Sequence, residues 1–486
     1  MPLPSSLLAL VVGALAASAA GQCPLTWQQP IGGGADARVR ALLPTPVGVI
    51  AGGDFASVGG VACDHLAEFN GVFWQPVGGG TDDAVRALAR APNGDLLVGG
   101  SFVTAGNVTA NWIARWDGAA WSSLGGGTDG AVWCLAVRPN GHVVAGGSFT
   151  HAGGVLANGV AEFDGATWSA YGGGVNAPVR ALHIADNGDV YVGGGFDLVD
   201  GQPISRLARW DGATWSAVGG GTDGPVYDLA RAPSGALIVA GNFTAAGGVA
   251  ADNLAAWDGS ALLPLAAGTD APVEALTFLP NGDLVAAGAF SSAGSVAVDH
   301  VARFDGVGWV PLDGGLDNPA DAVCFGRDGL YAGGTFTAAG GQTSSFVARL
   351  TTPCPAGVAP LGAPCGGVTL TPEAAAWSGG VFRARGVGLQ SGDVAVAVTG
   401  FAATNLPLPA LLPQAAPGCL LSAAPDLLRV VLPAAGEVAL EVPIPSESAI
   451  PGQTFDQQLV VLTLDPTLSI TTATSSNGLR ASVGVF

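Results

Sequence analysis

The stretch that decides the fold is residues 84–129, AVRALARAPNGDLLVGGSFVTAGNVTANWIARWDGAAWSSLGGGTD. Its GGSF ending at Phe102 returns along the chain as AGGDF, AGGSF, GGGF, AGNF, AGAF and AGGTF. The phenylalanines that close these copies are Phe55, Phe102, Phe149, Phe196, Phe243, Phe290 and Phe336, at intervals of 47 residues five times and then 46. Self-similarity at this period is the signature of a repeat architecture.

Four apolar segments alternate with turn residues inside one copy. They are residues 84–90, 96–102, 112–116 and 121–124. Asn93-Gly94 separates the first two segments and supplies the positive φ that a tight hairpin turn needs. Because four short antiparallel strands in about 47 residues make one propeller blade, each copy is predicted to form a blade.

Aromatic landmarks give the number of blades and the way in which the ring closes. The fourth strand opens with Trp27, Trp74, Trp121, Trp168, Trp215, Leu262 and Trp309. The third strand ends with Phe69, Trp116, Phe163, Trp210, Trp257, Phe304 and Leu350. Since Trp27 precedes every first strand and Leu350 has no fourth strand after it, we predict seven blades, the last one completed by residues 25–31. This pairing removes an open sheet edge.

The pattern GGSFTxAGG…IARWDGxxW resembles kelch-type repeats, and more closely the bacterial delta-60 repeat and the propeller of fungal cortical-marker proteins. It departs from kelch in a shorter turn between the last two strands. The resemblance covers residues 22–350 and implies an all-β, seven-bladed propeller. It implies little about function, because propellers host unrelated activities.

Three further segments are predicted outside the propeller. Residues 1–20 contain an apolar stretch with small residues at its end and are interpreted as a secretory signal. Residues 351–367 are rich in Pro and Gly and are predicted to be a linker. Residues 368–486 alternate short apolar runs with turn residues and are predicted to form a small β-sandwich. Their APGC and VPIPSESAIPGQTFDQQ resemble the C-terminal domain of secreted planctomycete proteins, which implies a bacterial protein exported to the periplasm or the outside.

The net charge is −20 and all 17 basic residues are Arg, which argues against a nucleic-acid partner. No later segment is predicted to span a membrane. Seven cysteines fit an oxidising compartment. We predict a Cys23–Cys354 disulfide that joins the two ends of the propeller, and a Cys365–Cys419 disulfide; pairing of Cys354 with Cys365 is the alternative.

No catalytic constellation is found: the five histidines are scattered among blades, and no nucleophile triad, P-loop or zinc motif is present. An acidic residue does recur in the turn before most first strands, as Asp36, Asp82, Asp129, Asp223, Asp270 and Asp317. One interpretation is an Asx turn, in which the side chain caps its own backbone. The alternative is Ca²⁺ bound at the rim of the channel, the one cofactor that the sequence suggests.

One position just inside the first strand varies while its neighbours stay similar. It is occupied by Arg40, Arg86, Trp133, Arg180, Tyr227, Glu274 and Asp321. Variation within a uniform scaffold is expected of ligand contacts, and equally of an unconstrained position. These residues are the candidate ligand-binding set, and no catalytic residue is predicted.

The sequence therefore favours a secreted, non-catalytic binding or structural propeller of a cell surface or matrix, with a protein or a glycan as partner. Two alternatives stay open. One is an extracellular enzyme acting on polysaccharide at the channel mouth, which would need a pair of carboxylates. The other is a Ca²⁺-dependent adhesion module.

Overall fold

The computed structural model describes residues 26–29, 33–327 and 329–351, and, from residue 357 to 482, the strands given below together with Leu389 and Ser476. The chain divides into two compact units: one is Leu25–Thr352, and the other contains the strands after residue 356. The described residues form strands and turns, with no helix among them. The predicted signal segment, residues 1–20, lies outside the described residues.

The first unit contains seven four-stranded antiparallel sheets, which confirms the predicted seven-bladed propeller. The first strands are Val39–Pro44, Val85–Arg90, Val132–Val137, Val179–Ile184, Val226–Arg231, Val273–Phe278 and Ala320–Gly326. The second strands are Val49–Gly53, Leu96–Gly100, Val143–Gly147, Val190–Gly194, Leu237–Gly241, Leu284–Gly288 and Gly329–Gly334. The third strands are Leu66–Phe69, Ile113–Trp116, Val160–Phe163, Leu207–Trp210, Leu254–Trp257, Val301–Phe304 and Val347–Thr351.

The fourth strands of blades 1 to 6 are Trp74–Pro76, Trp121–Ser123, Trp168–Ala170, Trp215–Ala217, Leu262–Pro264 and Trp309–Pro311. Blade 7 takes its fourth strand from the beginning of the chain, as predicted. Thr26–Gln28 pairs antiparallel with Val347–Thr351, with Trp27 opposite Leu350. The first strands of successive blades contact one another, and the first strand of blade 7 contacts that of blade 1, so the ring closes around an axis.

The hydrophobic core of the propeller lies between blades rather than within them. One cluster, for example, joins Ile50 and Leu66 of blade 1 to Val98 and Phe102 of blade 2. All seven repeat phenylalanines are buried, with 0–3% of their surface exposed. The Gly-Gly that ends the second strand of five blades has a related cause, because a Cβ on Gly99 would lie 2.6 Å from Val132 of the next blade. Blades 5 and 6 have Ala240 and Ala287 at the position of Gly99.

The fourth-strand tryptophans link neighbouring blades by hydrogen bonds. The Trp121 indole Nε1 donates to the Gly78 carbonyl of the preceding repeat at 2.7 Å, and Trp168 donates to Leu124 at 2.8 Å. Trp27 makes the equivalent bond to the Leu312 carbonyl at 2.9 Å, across the closure of the ring. Trp215 and Trp309 make the same kind of bond, whereas blade 5 has Leu262 and Trp74 Nε1 has no acceptor among the described residues. The landmark therefore recurs because a large side chain fills the interface and, in most blades, satisfies a carbonyl.

Each blade also carries a short two-stranded ribbon between its second and third strands, in a segment for which the sequence analysis predicts no strand. The ribbons are Ser57–Val58 with Val61–Ala62, Thr104–Ala105 with Val108–Thr109, His151–Ala152 with Val155–Leu156, Leu198–Val199 with Gln202–Pro203, Ala245–Ala246 with Val249–Ala250, Ser292–Ala293 with Val296–Ala297, and Ala338–Ala339 with Gln342–Thr343. Two-residue strands are too short to show a period, so the pattern could not reveal them.

The second unit contains three groups of paired strands. The largest group is Gly357–Leu361, Gly478–Ser482, Thr454–Leu464, Asp393–Gly400 and Leu427–Val431, with Ile470–Ser475 paired to Thr454–Leu464. A three-stranded sheet is Thr369–Ala374, Val381–Val387 and Glu437–Pro443, and Ala403–Pro407 pairs with Leu420–Ala423. Gly386 of the smaller sheet lies against Leu459 of the larger one. The sandwich expected for residues 368–486 stays a prediction.

The predicted linker of residues 351–367 differs from the structure at one point. Gly357–Leu361 pairs over its whole length with Gly478–Ser482 and is part of the largest sheet. Pro and Gly near this strand favoured a linker, but backbone pairing with a distant segment decided the conformation.

Replacing Trp27 by Ala tests the closure of the ring. Trp27 is 3% exposed, and its indole Nε1 donates to the Leu312 carbonyl at the fourth-strand end of blade 6; the bond from its backbone N–H to the Asp313 carboxylate remains in the variant. We expect the free energy of unfolding to fall by about 3–5 kcal/mol, the usual loss for a buried Trp. Gln28→Ala, in the same strand but exposed, is the matched control and is expected to change it by less than about 0.5 kcal/mol. Equal effects of the two substitutions in urea unfolding would contradict the closure.

Candidate functional site

A β-bulge lies at the variable position in all seven blades. In blade 2, Val85 is opposite Gly100 and Ala87 is opposite Gly99, so Arg86 is an extra residue without a partner in the ladder. The other blades shift register at the equivalent residue, and the bulged set is Arg40, Arg86, Trp133, Arg180, Tyr227, Glu274 and Asp321. We call this set the axial ring. A bulge redirects its side chain and is often found beside binding sites.

Four members of the axial ring contact one another across four consecutive blades. The Arg86 guanidinium lies 5.8 Å from the centre of the Trp133 ring, and the Arg180 guanidinium lies 4.9 Å from it. Arg180 is also 4.6 Å from the centre of the Tyr227 ring. Trp133 therefore sits between two cations, and Arg180 between two aromatic rings, in a stack held by cation–π attraction.

The remaining ring members are held by ion pairs or by charge. Arg40 donates two bonds to Asp54, at 2.6 and 2.7 Å. Asp321 accepts both donors of Arg38, a residue two positions before Arg40. Arg180, by contrast, has neither a hydrogen bond nor an ion pair within the described part of the chain.

The charged residues of the axial ring differ in how well their surroundings stabilise the charge. Burial, and then the nearby Arg40, lower the pKa of Arg86, whose one hydrogen bond is to the Ser101 hydroxyl at 3.0 Å. Burial, and then Asp321, raise the pKa of Glu274. Arg86 and Glu274 are therefore both in surroundings that disfavour their charged forms. An anion beside Arg86 would relieve that cost.

The repeated acidic residues bind backbone N–H groups that lie at least 20 residues further along the chain. Asp82 Oδ1 accepts the N–H groups of Val103 and Thr104, both at 2.8 Å and more than 20 residues away. The other five make the same contacts with the segment after the repeat Phe: Asp36, Asp129, Asp223, Asp270 and Asp317. Burial raises the pKa of these carboxyls, but the backbone and hydroxyl donors outweigh it and lower each pKa below its ordinary value.

Each of these carboxylates therefore joins two segments of one blade by hydrogen bonds, which an Asx turn alone would not do. The turn pattern identified a capping role, but a single sequence cannot show which backbone is capped. The part of the chain that the structure describes holds no group of three or more His, Cys, Asp or Glu side chains suited to a metal ion. Ca²⁺ binding at the rim stays a prediction.

Asp228 is a candidate that the sequence reasoning missed. It follows the bulged Tyr227, and its carboxylate accepts the N–H of Leu229 and, from the next blade, the N–H of Leu276, each at 2.7 Å. Burial raises its pKa from 3.8 to about 6. The sequence did contain a signal, because Asp228 departs from the Ala that five of the seven blades have at this position (Ala41, Ala87, Ala181, Ala275 and Ala322).

The cysteines divide into two groups. Cys63, Cys134 and Cys324 are free thiols, and Cys324 is buried, so burial raises its pKa. The four cysteines of the predicted disulfides, Cys23, Cys354, Cys365 and Cys419, lie outside the described residues, and both pairings stay predictions.

Asp228→Asn tests the buried carboxyl at the axis. The folded pKa of about 6 exceeds the ordinary 3.8, so the unfolded chain releases its proton first as the pH rises. The native protein should therefore lose roughly 3 kcal/mol of stability relative to the variant between about pH 4 and pH 6.5, and no more above pH 7. Urea unfolding at pH 4, 5.5 and 7.5 measures this difference, with exposed Asp252→Asn as the control. A difference independent of pH would contradict the assignment.

Comparison with known proteins places the repeats in a recognised class. Residues 138–165 and 327–352 match the family model described as "Domain of unknown function (DUF5122) beta-propeller". No curated protein matches the chain. The described residues form no helix of the length and hydrophobicity needed to cross a membrane.

Several solved structures are similar in part. A gluconolactonase from Xanthomonas campestris, XC5397, is 15% identical over 55% of this chain and 86% of its own, with a TM-score of 0.33. PorZ, a surface component of the type-IX secretion system of Porphyromonas gingivalis, is 13% identical over 89% of this chain and 64% of its own, with a TM-score of 0.35. The extracellular domain of the putative one-component system BT4673 from B. thetaiotaomicron is 9% identical over 94% and 76%, with a TM-score of 0.22.

At these levels of similarity, none of the solved structures assigns an activity or a ligand to this chain. The family model and the seven four-stranded sheets agree with each other on architecture. The chain is a β-propeller repeat protein.

Proposed function

We propose that this protein is a secreted, non-catalytic binding propeller whose ligand docks on the axial ring. The observation that carries the proposal is the bulge: each blade redirects one side chain at the same point, and that side chain differs from blade to blade. Four of these side chains are not independent of one another, because Arg86, Trp133, Arg180 and Tyr227 form one stack across four blades. The backbone bulge is the same in every blade, and side chains that differ on such a constant backbone are expected of a surface adapted to a ligand.

The chemistry of the ring favours an acidic ligand. Arg86 and Arg180 flank Trp133, and neither forms an ion pair within the described residues, although the charge of Glu274 acts on Arg180 and that of Asp54 on Arg86. Planar guanidinium groups bind carboxylates and sulfates through paired hydrogen bonds. Trp133 Nε1 is buried and has no acceptor among the described residues, so it offers a third donor at the same place.

An acidic polysaccharide of a cell surface or matrix is the partner that fits best. Such a polymer carries a carboxylate or sulfate on every repeat of its chain, so a single group can enter between the two arginines while the rest stays in solvent. The net charge of −20 repels polyanions in general, which makes a local unpaired cationic stack necessary for this binding. Export is part of the proposal and depends on the predicted signal of residues 1–20.

An array of acidic and neutral glycans, probed with the purified protein, tests this function. Binding to acidic members should fall at least tenfold in Arg86→Ala/Arg180→Ala and weaken with added salt. The matched control is Arg115→Ala/Arg209→Ala, which removes the same charge from arginines paired with Asp95 and Asp189 on third strands. Equal loss in both double variants would mean that total charge, not the ring, governs binding. Unchanged binding in the first would exclude the ring as the site.

Hydrolysis of a polysaccharide is the second candidate, favoured by one observation. Glu274 and Asp321 lie at equivalent positions of adjacent blades; the pKa of Glu274 is raised, whereas Asp321 is held by Arg38. A glycosidase needs a carboxylic acid of raised pKa beside a second carboxylate, and Glu274 would be the acid. New reducing ends released from the bound glycans, and lost in Glu274→Gln, would support this candidate.

A further inference from the structure

A groove between blades 4 and 5 differs in chemistry from the equivalent groove between blades 2 and 3. Its distinguishing side chains are His183, Asp186, Tyr191, Arg231 and Trp257, and its volume is about 290 Å³. We call it the blade 4–5 groove. It lies at the ends of the first strands Val179–Ile184 and Val226–Arg231, whereas the axial-ring residues Arg180 and Tyr227 lie at their beginnings.

The equivalent groove between blades 2 and 3 provides an internal comparison. It has nearly the same volume, about 280 Å³, and is lined by the matching turns and strands. The residues in the five equivalent positions, read from the repeat alignment, are Ala89, Pro92, Leu97, Val137 and Phe163. Of these five residues, Pro92, Leu97 and Phe163 line the blade 2–3 groove, which also contains the Asp95–Arg115 ion pair. Four of the five positions are polar or phenolic in blades 4 and 5.

The aromatic wall of the blade 4–5 groove has an unusual member. In five blades the aromatic residue that ends the third strand packs against the fourth-strand Trp, with ring centres 5.2–5.4 Å apart. Blade 5 has Leu262 opposite Trp257 instead, so Trp257 lacks this ring partner. Trp257 and Tyr191 both remain partly exposed at the edge of the same hydrophobic cluster.

Polar groups surround this aromatic wall. Arg231 and Asp186 form an ion pair at 2.6 Å that joins blade 5 to blade 4, and Asp186 remains 77% exposed. His183 is directly opposite Tyr191 in the strand pair, with ring centres 6.4 Å apart. Burial, and then Arg231, lower the pKa of His183, so its imidazole is neutral at pH 7 and offers one donor and one acceptor.

We propose that the blade 4–5 groove is a second binding site, which takes one unit of a neutral saccharide. Sugar rings present an apolar C–H face that packs on aromatic side chains, and hydroxyls at the ring edge that bond to charged and amide groups. Trp257 and Tyr191 supply the first kind of contact, and Asp186, Arg231 and His183 supply the second. A concave site with an aromatic wall and a few convergent polar groups is the usual form of a small-ligand pocket.

The charges of the groove decide between a neutral and an acidic sugar. Arg231 is already neutralised by Asp186, and a further carboxylate, Asp258, lines the same groove. An anion would therefore meet unfavourable charge here, in contrast to the axial ring. The two sites are independent, and either proposal can fail without the other.

A variant that copies the blade 2–3 groove tests the site. It carries His183→Ala, Asp186→Pro, Tyr191→Leu and Arg231→Val, residues that already fold at the equivalent positions of blades 2 and 3. The probes are cellotriose, maltotriose, mannotriose and chitotriose, titrated into the full chain while tryptophan fluorescence is recorded. We expect at least one trisaccharide to bind the native protein with a Kd below about 10 mM, and to bind the variant at least tenfold more weakly.

Controls separate this site from others on the molecule. Two control variants should bind the trisaccharides within twofold of the native protein. One is Arg115→Ala, which alters the lining of the blade 2–3 groove, and the other is Arg86→Ala/Arg180→Ala in the axial ring. If the four-residue variant does not fold, His183→Ala alone gives the same decision, because blades 2, 3 and 5 have Ala at this position. Absence of binding by all four probes, or undiminished binding by the folded variant, would overturn the proposal.

Discussion

The antiparallel pair between Thr26–Gln28 and Val347–Thr351 is the constraint on which the rest of the structure depends. Interblade packing supplies the core, so each blade is stable only if it has neighbours on both sides. Without the N-terminal strand, blade 7 would expose an unpaired edge and lose the Trp27 indole bond to Leu312. The close contact that Gly333 allows with Val39 then completes the circle between blades 7 and 1.

Much of this architecture could be predicted from the sequence because the signal was repeated seven times. The 47-residue period predicts the blade, and the unmatched Trp27 and Leu350 predict the closure, through simple counting. The ribbons and the bulges could not be predicted in the same way. A two-residue ribbon leaves no periodic trace, and a bulge at Arg86 depends on which residue of the partner strand lies opposite it, which only the register shows.

The candidate sites share one property: their residues occupy repeat positions at which the seven blades carry different side chains. Uniform residues proved to be scaffold, as with Asp82, whose carboxylate holds the backbone of its own blade. Variable residues gather into the axial ring and, at the other end of the first strands, into the blade 4–5 groove. The ring positions could be predicted from their variation, and the same signal was available for Asp228, but Trp257 became a candidate only when its neighbours in adjacent strands and blades were known.

A cysteine pair at the closing strands tests the ring most directly. Gln28 and Arg349 face each other in the register that completes blade 7. Oxidation of the folded Gln28→Cys/Arg349→Cys variant should give a 28–349 disulfide by peptide mapping, whereas Gln28→Cys/Glu68→Cys, with Glu68 at the equivalent position of blade 1, should give none between those sites. A bond in the second variant, or none in the first, would contradict a propeller closed in this register.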